Sequence, residues 1–346
     1  MRRGSLETVA KTLASHKRLL ITWHVDPDPD SVGSGLALQM ILELMGQEAM
    51  CISPDPLGQW FGFLPGADRC QVFHKQLLLD FSAAVVIDAE IDRCGGLGPY
   101  LKSGELPVIN IDHHGTNPGR GVAFYVDTTA AATGEIIYEL AKFWRVPLDK
   151  DIATNLFAAL SGDTGTFRYS NTKATTLRIA SELVEIGADP ADIAVHLYEE
   201  RSYEEVDLMR QALNTLELSP DGAAAWISIT QDMLGGRQWV GQHSNDIIQF
   251  PRMIDTVEVA VLFREMESEK TKVSFRSRSH MDVSYIASLF GGGGHVRAAG
   301  CTIDAPLADA MTLVIKTVIC ELNRCRSGTE LAESAACGQE TERGEP

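Results

Sequence analysis

Between residues 18 and 112 the chain repeats one pattern, a short apolar run rich in strand-forming residues that delivers a histidine or an aspartate at its end. RLLITW (18–23) leads into His24, AAVVID (83–88) ends on Asp88 and LPVINID (106–112) ends on Asp112, with MCIS (50–53) as a further candidate strand. Runs of this length bounded by polar turns read as strands buried on both faces. Helical patterns separate them, beginning with a helix expected from Ser31 whose apolar face is Leu36, Leu38, Met40, Ile41, Leu44 and Met45. Strands alternating with helices build an α/β domain around a parallel sheet with flanking helices. Open sheets of this kind collect ligands at the carboxyl ends of their strands, where these charged residues stand.

Helical patterns dominate next, in AATGEIIYELAKFW, DIATNLFAALSG and a stretch from Lys173 to about Leu216 that Asp189-Pro190 interrupts. After Pro220-Asp221-Gly222 the texture changes. AAAWISI (223–229), VEVAVLF (257–263), TKVSFRS (271–277) and Ala299–Ile303 read as strands, with helices at 283–290 and 307–324. The expected division is a catalytic domain over 1–188, a helical connector over 189–221, a smaller α/β domain over 222–326 and a disordered polar tail over 327–346.

The chemistry gathers in five segments. WHVDPDPDSVGS places His24, Asp28 and Asp30 after the first strand, one nitrogen and two carboxylates suited to Mn²⁺, Mg²⁺ or Zn²⁺. An extended segment would put Asp28 and Asp30 on one side; the plainer reading is an acidic turn with Asp30 or Ser31 as helix N-cap. Asp88 in AAVVIDAEIDR could be a simple strand-end turn former, and Asp92 with Arg93 a local ion pair. INIDHHGTN is harder to explain by packing, because Asp112, His113 and His114 are adjacent groups capable of metal binding or proton transfer. In LSGDTGTFRYSNT, Asp163 ends a helical pattern, where an anion is unfavourable without a nearby cation, and Arg168 is a candidate phosphate contact. Two like charges 4 Å apart repel by roughly 4 kcal/mol at an effective dielectric of 20. Five carboxylates on one sheet edge therefore call for cations. Two divalent ions there could activate a water and stabilise both oxygens of a phosphoryl displacement. The fifth segment, FGGGGHVRAAG, offers Gly291, Gly292, Gly293 and Gly294 for close backbone approach to an anion, flanked by His295 and Arg297, with Arg276 on the preceding strand.

Composition narrows the partners. A net charge of −17 opposes a surface that grips long nucleic acid, so a nucleotide ligand should be short and its contacts local. The seven cysteines lack CxxC spacing and read as reduced thiols. No apolar run nears the roughly 20 residues of a membrane span, and MRRGSLETVAKTLASHK has no apolar signal core. A cytoplasmic location is expected.

Taken in order, these segments resemble the DHH–DHHA1 phosphoesterase family over about residues 5–325. The family's HxxPDGDxxGS is matched by His24-Val25-Asp26-Pro27-Asp28-Pro29-Asp30-Ser31-Val32-Gly33-Ser34. The DHH motif is Asp112-His113-His114, the fourth motif GDTGTFRYSNT, and the GGGGH segment runs from Gly291 to His295. Pro29 departs from the usual glycine and is expected to stiffen the turn without removing a ligand; Gly115-Thr116-Asn117 fall where variation is expected. The resemblance implies one metal on His24, Asp28 and Asp88 and a second on Asp30, Asp88, His113 and Asp163, with Asp88 bridging. It also implies a phosphate-contacting or proton-donating His114 held by Asp112, and manganese ahead of magnesium or cobalt. The layout is most similar to the oligoribonuclease (nanoRNase) subgroup, which degrades very short RNAs to mononucleotides and in some members dephosphorylates adenosine 3′,5′-bisphosphate. A phosphodiesterase for cyclic di-AMP or pApA and a non-catalytic nucleotide-binding regulator are the competing expectations. The expected partners are short RNA or small nucleotides and a second copy in a homodimer, with no long nucleic acid and no membrane.

Overall fold

The computed structural model describes residues 2–236, 241–267 and 269–340; within these, the side chains of 78–80, 241–246, 267, 295 and 327–340 lie outside the described set. The chain divides into two units, Met1–Arg201 and Ser202–Pro346. The division falls inside the 189–221 segment.

The first unit contains β1 (Arg2–Gly4), α1 (Leu6–Ser15), β2 (Arg18–Thr22), α2 (Pro29–Leu44), β3 (Glu48–Ser53), β4 (Gln71–Val72) and β5 (Ala83–Ile87). It continues with α3 (Gly98–Lys102), β6 (Val108–Asp112), β7 (Ala123–Asp127), α4 (Thr133–Trp144), α5 (Lys150–Asp163), α6 (Ala174–Ile186) and α7 (Pro190–Ala194). The sheet order is β1-β7-β6-β5-β2-β3-β4. Every pairing is parallel except β1 with β7. Each residue of β5 is buried, as expected of a strand covered on both faces. From β2 the chain proceeds outward through β3 and β4, then returns to β5 on the other side and continues to β6 and β7. That reversal opens a crevice at the carboxyl ends of β2 and β5.

Helix α2 starts at Pro29 rather than Ser31: Asp28 is its N-cap, accepting from the Ser31 amide at 3.0 Å, and Pro29 takes the first helical position, where a fixed φ suits the helix. Asp28 and Asp30 are thus N-cap and second residue of a helix, not alternate residues of an extended segment. The capping reading of the acidic turn holds for Asp28, not for Asp30 or Ser31. Asp92 pairs with Lys102 and Arg120 rather than with Arg93.

Close packing carries the helices to the crevice. A Cβ on Gly33 of α2 would lie 2.5 Å from the Asn155 carbonyl oxygen of α5, so only glycine lets these backbones meet. The same contact brings Pro29 against Gly162, whose Cβ would stand 2.9 Å from the proline ring. The start of α2 and the end of α5 therefore converge, and with them Asp30 and Asp163.

The second unit has α8 (Tyr203–Leu213), β8 (Glu217–Leu218), β9 (Ala224–Ile229), α9 (Gln231–Leu234), α10 (Gly241–Met253), β10 (Val259–Glu267) and β11 (Lys270–Ser277). It ends with α11 (Val283–Ser288), β12 (Gly293–His295), β13 (Ala298–Ile303) and α12 (Leu307–Glu340). Its sheet is mixed, in the order β12-β13-β11-β10-β9-β8, and only β9 with β10 is parallel. Val259, Val261, Phe263, Val273 and Phe275 pack against α11 and α12 on one face. Ala225, Ile227, Ala260 and Leu262 meet α8 and α10 on the other. Helix α12 continues past 324 to Glu340, where a disordered tail was expected from 327; Leu331, Ala332, Glu333, Ala335 and Ala336 are strong helix formers that low hydrophobicity obscures. Residues 341–346 lie outside the described set. No helix of the described residues is long and apolar enough to cross a membrane.

Candidate metal centre

The expected ligands reach the crevice from the ends of several strands and helices. His24 follows β2, Asp28 caps α2 and Asp30 is the helix's second residue; Asp88 follows β5, Asp112 ends β6, His113 and His114 come next, and Asp163 ends α5. His24 Nε2 lies 3.7 Å from Asp88 Oδ2 and 3.8 Å from Asp28 Oδ2. His113 Nε2 lies 3.0 Å from Asp163 Oδ2, 3.4 Å from Asp88 Oδ1 and 3.7 Å from Asp30 Oδ2. Ligand atoms of His24, Asp28 and Asp88 fall within 4.8 Å of one another, as do those of Asp30, His113 and Asp163 and those of Asp88, His113 and His114. Asp88 thus offers one oxygen to each side of the cluster.

Asp88 has a left-handed backbone, φ 57°, immediately after its strand. A non-glycine residue adopts that region at some cost; here the turn aims the carboxylate into the crevice. Its Oδ2 is buried and accepts no hydrogen bond among the described residues, an arrangement that normally costs free energy unless the charge is paired or coordinates a cation. A nitrogen-and-carboxylate set around that oxygen fits a divalent cation.

The electrostatics point the same way. Burial opposes ionisation of Asp88, but His114, His24 and His113 outweigh it and hold its carboxyl well below the usual range. Burial also opposes the charge on Asp112, yet His114 brings its carboxyl down to about 2. Burial pushes Asp30 up, with Asp88 and Asp163 adding repulsion. His113 is disfavoured as a cation by burial but raised to about 10 by Asp163, and His114 is raised by Asp112 and Asp88. The raised values of His113 and His114 favour their charged forms beside the carboxylates; a cation held by His113 would displace the proton there, whereas His114 is no expected ligand.

Several residues that were not among the expected site residues support this cluster. The amides of Thr133 and Gly134, at the start of α4, donate to Asp30 at 2.6 and 2.9 Å, and Ser34 Oγ adds a third donor at 2.9 Å. Thr133 Oγ1 donates to Asp88 Oδ1 at 2.9 Å. The Ala130 carbonyl lies 3.4 Å from His113 Nδ1. Asp112 Oδ1 accepts from the His113 and His114 amides and from His114 Nδ1 at 2.7 Å, while Oδ2 accepts from Asn117 at 2.5 Å. Asn117 is therefore tied into the site, although it falls in a stretch where variation was expected. Its signal was its place five residues after Asp112 in the same motif; Thr133 reads only as a helix start.

The substrate candidates are spread over both units. Arg168 is exposed in the turn after Asp163, with Nε on the Gly165 carbonyl at 2.7 Å. In the second unit, Arg276 stands opposite Ala298, which in turn pairs with His295 on the edge strand; the His295 side chain lies outside the described set. Arg276 Nη1 donates to the Phe275 carbonyl and Arg297 Nη1 to the Met281 carbonyl. Gly291 and Gly294 have φ of 72° and 142°, and a Cβ on Gly293 would meet open space.

A doubly wound parallel sheet with clustered histidines and aspartates at its switch point, joined to a mixed-sheet domain with a glycine-rich edge, defines a class of metal-dependent phosphoesterase. The comparisons with known proteins give the family. Residues 18–160 match the DHH family, N-terminal domain, and residues 228–323 match the DHHA1 domain. The chain belongs to the DHH family, whose phosphoesterases use divalent metal ions. It is 34% identical over 308 residues to the bifunctional oligoribonuclease and PAP phosphatase NrnA of Thermus thermophilus, covering 88% of this chain and 90% of that protein. It is 28% identical to the NrnA of Bacillus subtilis, covering 88% and 96%. In fold it is similar to an exopolyphosphatase-related protein from Bacteroides fragilis, with a TM-score of 0.81, 22% identity and coverage of 92% and 95%.

Proposed function

We propose that this chain is a two-metal phosphodiesterase that hydrolyses very short oligoribonucleotides to nucleoside 5′-monophosphates and also dephosphorylates adenosine 3′,5′-bisphosphate to AMP. The observation that carries the reading is Asp88, one buried carboxylate shared by two groups of ligand atoms. His24, Asp28 and Asp88 would hold one ion and Asp30, Asp88, His113 and Asp163 the other, with manganese the preferred metal. When bound, such ions polarise a phosphoryl oxygen and lower the pKa of a coordinated water.

The chain's own residues do the rest. Asp112 fixes the His114 ring through Nδ1 and keeps it protonated, so His114 presents a positive donor to a phosphate oxygen. Burial of His24, Asp88 and His113 thins the solvent and strengthens each interaction. Arg168, Arg276, Arg297 and the Gly291–Gly294 backbone are the proposed contacts for the remaining phosphate and sugar. A net charge of −17 suits a substrate held by a few local contacts, and the cytoplasm is the proposed location.

The test is a panel of pApA, RNA of two to about ten nucleotides, cyclic di-AMP and adenosine 3′,5′-bisphosphate, each with Mn²⁺ and Mg²⁺. Monophosphate release should be fastest from the shortest RNAs. No release from a dinucleotide at high enzyme concentration sinks the proposal, and a preference for cyclic di-AMP would move the assignment to a cyclic-dinucleotide phosphodiesterase.

A further inference from the structure

Thr133 touches both halves of the cluster. It is fully buried at the first position of α4. Its amide donates to Asp30 Oδ2 and its hydroxyl to Asp88 Oδ1. Two aspartates from distant parts of the sequence are thus set by one residue, whose β-branched side chain is stiff about χ1. With the amide anchored on Asp30, the hydroxyl has little freedom, and Asp88 Oδ1 is drawn toward the His113 side of the cluster. Asp88 Oδ2 is left 3.7 Å from His24 Nε2.

From this geometry we propose that Thr133 is a positioning residue for metal binding. It fixes the rotation of the Asp88 carboxylate so that each oxygen serves a separate cation, with Oδ1 on the Asp30–His113–Asp163 side and Oδ2 on the His24–Asp28 side. This rests on the two-metal reading above. The hydroxyl performs no proton transfer. It donates to an oxygen that would also carry a cation, much as outer partners of metal ligands orient them and raise affinity.

The experiment titrates Mn²⁺ into metal-stripped full-length protein by calorimetry, comparing wild type with Thr133→Val, Thr133→Ser and Asp88→Asn. Valine keeps the shape and the amide bond to Asp30 but removes the hydroxyl. Wild type should take up two ions. Thr133→Val should bind at least one of them about 10- to 100-fold more weakly, with the native unfolding transition retained, and Thr133→Ser should recover most of the loss. Two-ion binding by Thr133→Val indistinguishable from wild type would overturn the proposal while leaving the two-metal reading intact. Failure of wild type itself to bind two ions would overturn that reading and this inference with it. Should Thr133→Val not fold, Thr133→Ala against Thr133→Ser makes the same comparison, and equal affinities for those two overturn the proposal as well.

Discussion

Replacing Asp112 with asparagine keeps the size of the side chain while removing the charge that holds His114 protonated. In the native site Oδ1 accepts from two backbone amides and from His114 Nδ1, and Oδ2 accepts from Asn117. An asparagine can place its oxygen where Oδ1 lies and keep the three bonds there. Its amide group then faces the Asn117 amide, donor against donor. Loss of a hydrogen bond to a charged partner costs about 1.5–3 kcal/mol. That cost should appear as lost stability in urea unfolding at neutral pH, since the Asn117 bond touches no reacting group. The pH profile is the sharper readout. Asp112 and Asp88 hold the His114 pKa well above the ordinary histidine value in the native fold, so its proton is lost at higher pH than that of a free imidazole. Without Asp112 only Asp88 holds that proton, which should then leave at lower pH than in wild type. The alkaline limb of the variant's kcat against pApA should therefore shift to lower pH than that of wild type. Superimposable profiles for the two proteins would refute a role for Asp112 in holding the His114 proton.

Saturating Mn²⁺ should raise the thermal unfolding midpoint of wild type, by the equivalent of about 2.7 kcal/mol at 100 times Kd; EDTA should reverse the gain and Asp88→Asn should abolish it. In the glycine run, Gly292→Ala should destabilise the β12–β13 pairing, because the new Cβ would stand 2.2 Å from the Gly300 oxygen and 2.5 Å from the Cys301 Cβ. Gly293→Ala meets open space and should leave the midpoint unchanged, a contrast that calorimetric scanning resolves. Glu258 accepts from the Ser279, His280 and Met281 amides and the Ser279 hydroxyl. Burial opposes its charge, but these donors outweigh burial and hold its carboxyl below the usual range. Its stabilisation is therefore present above the unfolded value of about 4.3 and lost as pH falls through the folded value. Glu258→Gln should cost about 1–3 kcal/mol at pH 7 by urea unfolding, and the gap from wild type should close in acid.

The strands that deliver chemistry were legible in the sequence. β2, β5 and β6 are continuous apolar runs because neighbours cover both of their faces, and each ends where polarity returns. β1, β4, β8 and β12 have two or three residues each, too few for any periodicity to register. Helix α10 went unread because Asn245, Asp246 and an internal Pro251 interrupt its apolar residues. The same limit applies within the cluster. His24, Asp88, Asp112, His113 and Asp163 announce themselves by residue type, whereas Thr133, Gly134 and Ala130 act through a backbone amide, a carbonyl or an ordinary hydroxyl. Pro29, a departure from the family pattern, proved to be both the first helical residue of α2 and the partner of Gly162, a contact that no local reading could supply.

Asp28 serves two masters through its two oxygens: Oδ1 caps α2, and Oδ2 faces His24. Fraying of that helix end and escape of a cation therefore draw on a single carboxylate, so amide exchange at Ser31 should slow when the metal is bound. Asparagine caps a helix as well as aspartate does, which makes Asp28→Asn the substitution that separates the two duties: it leaves the first turn protected while loosening the ion. Alanine at this position would release both together, and a loss of activity there would say nothing about which had failed.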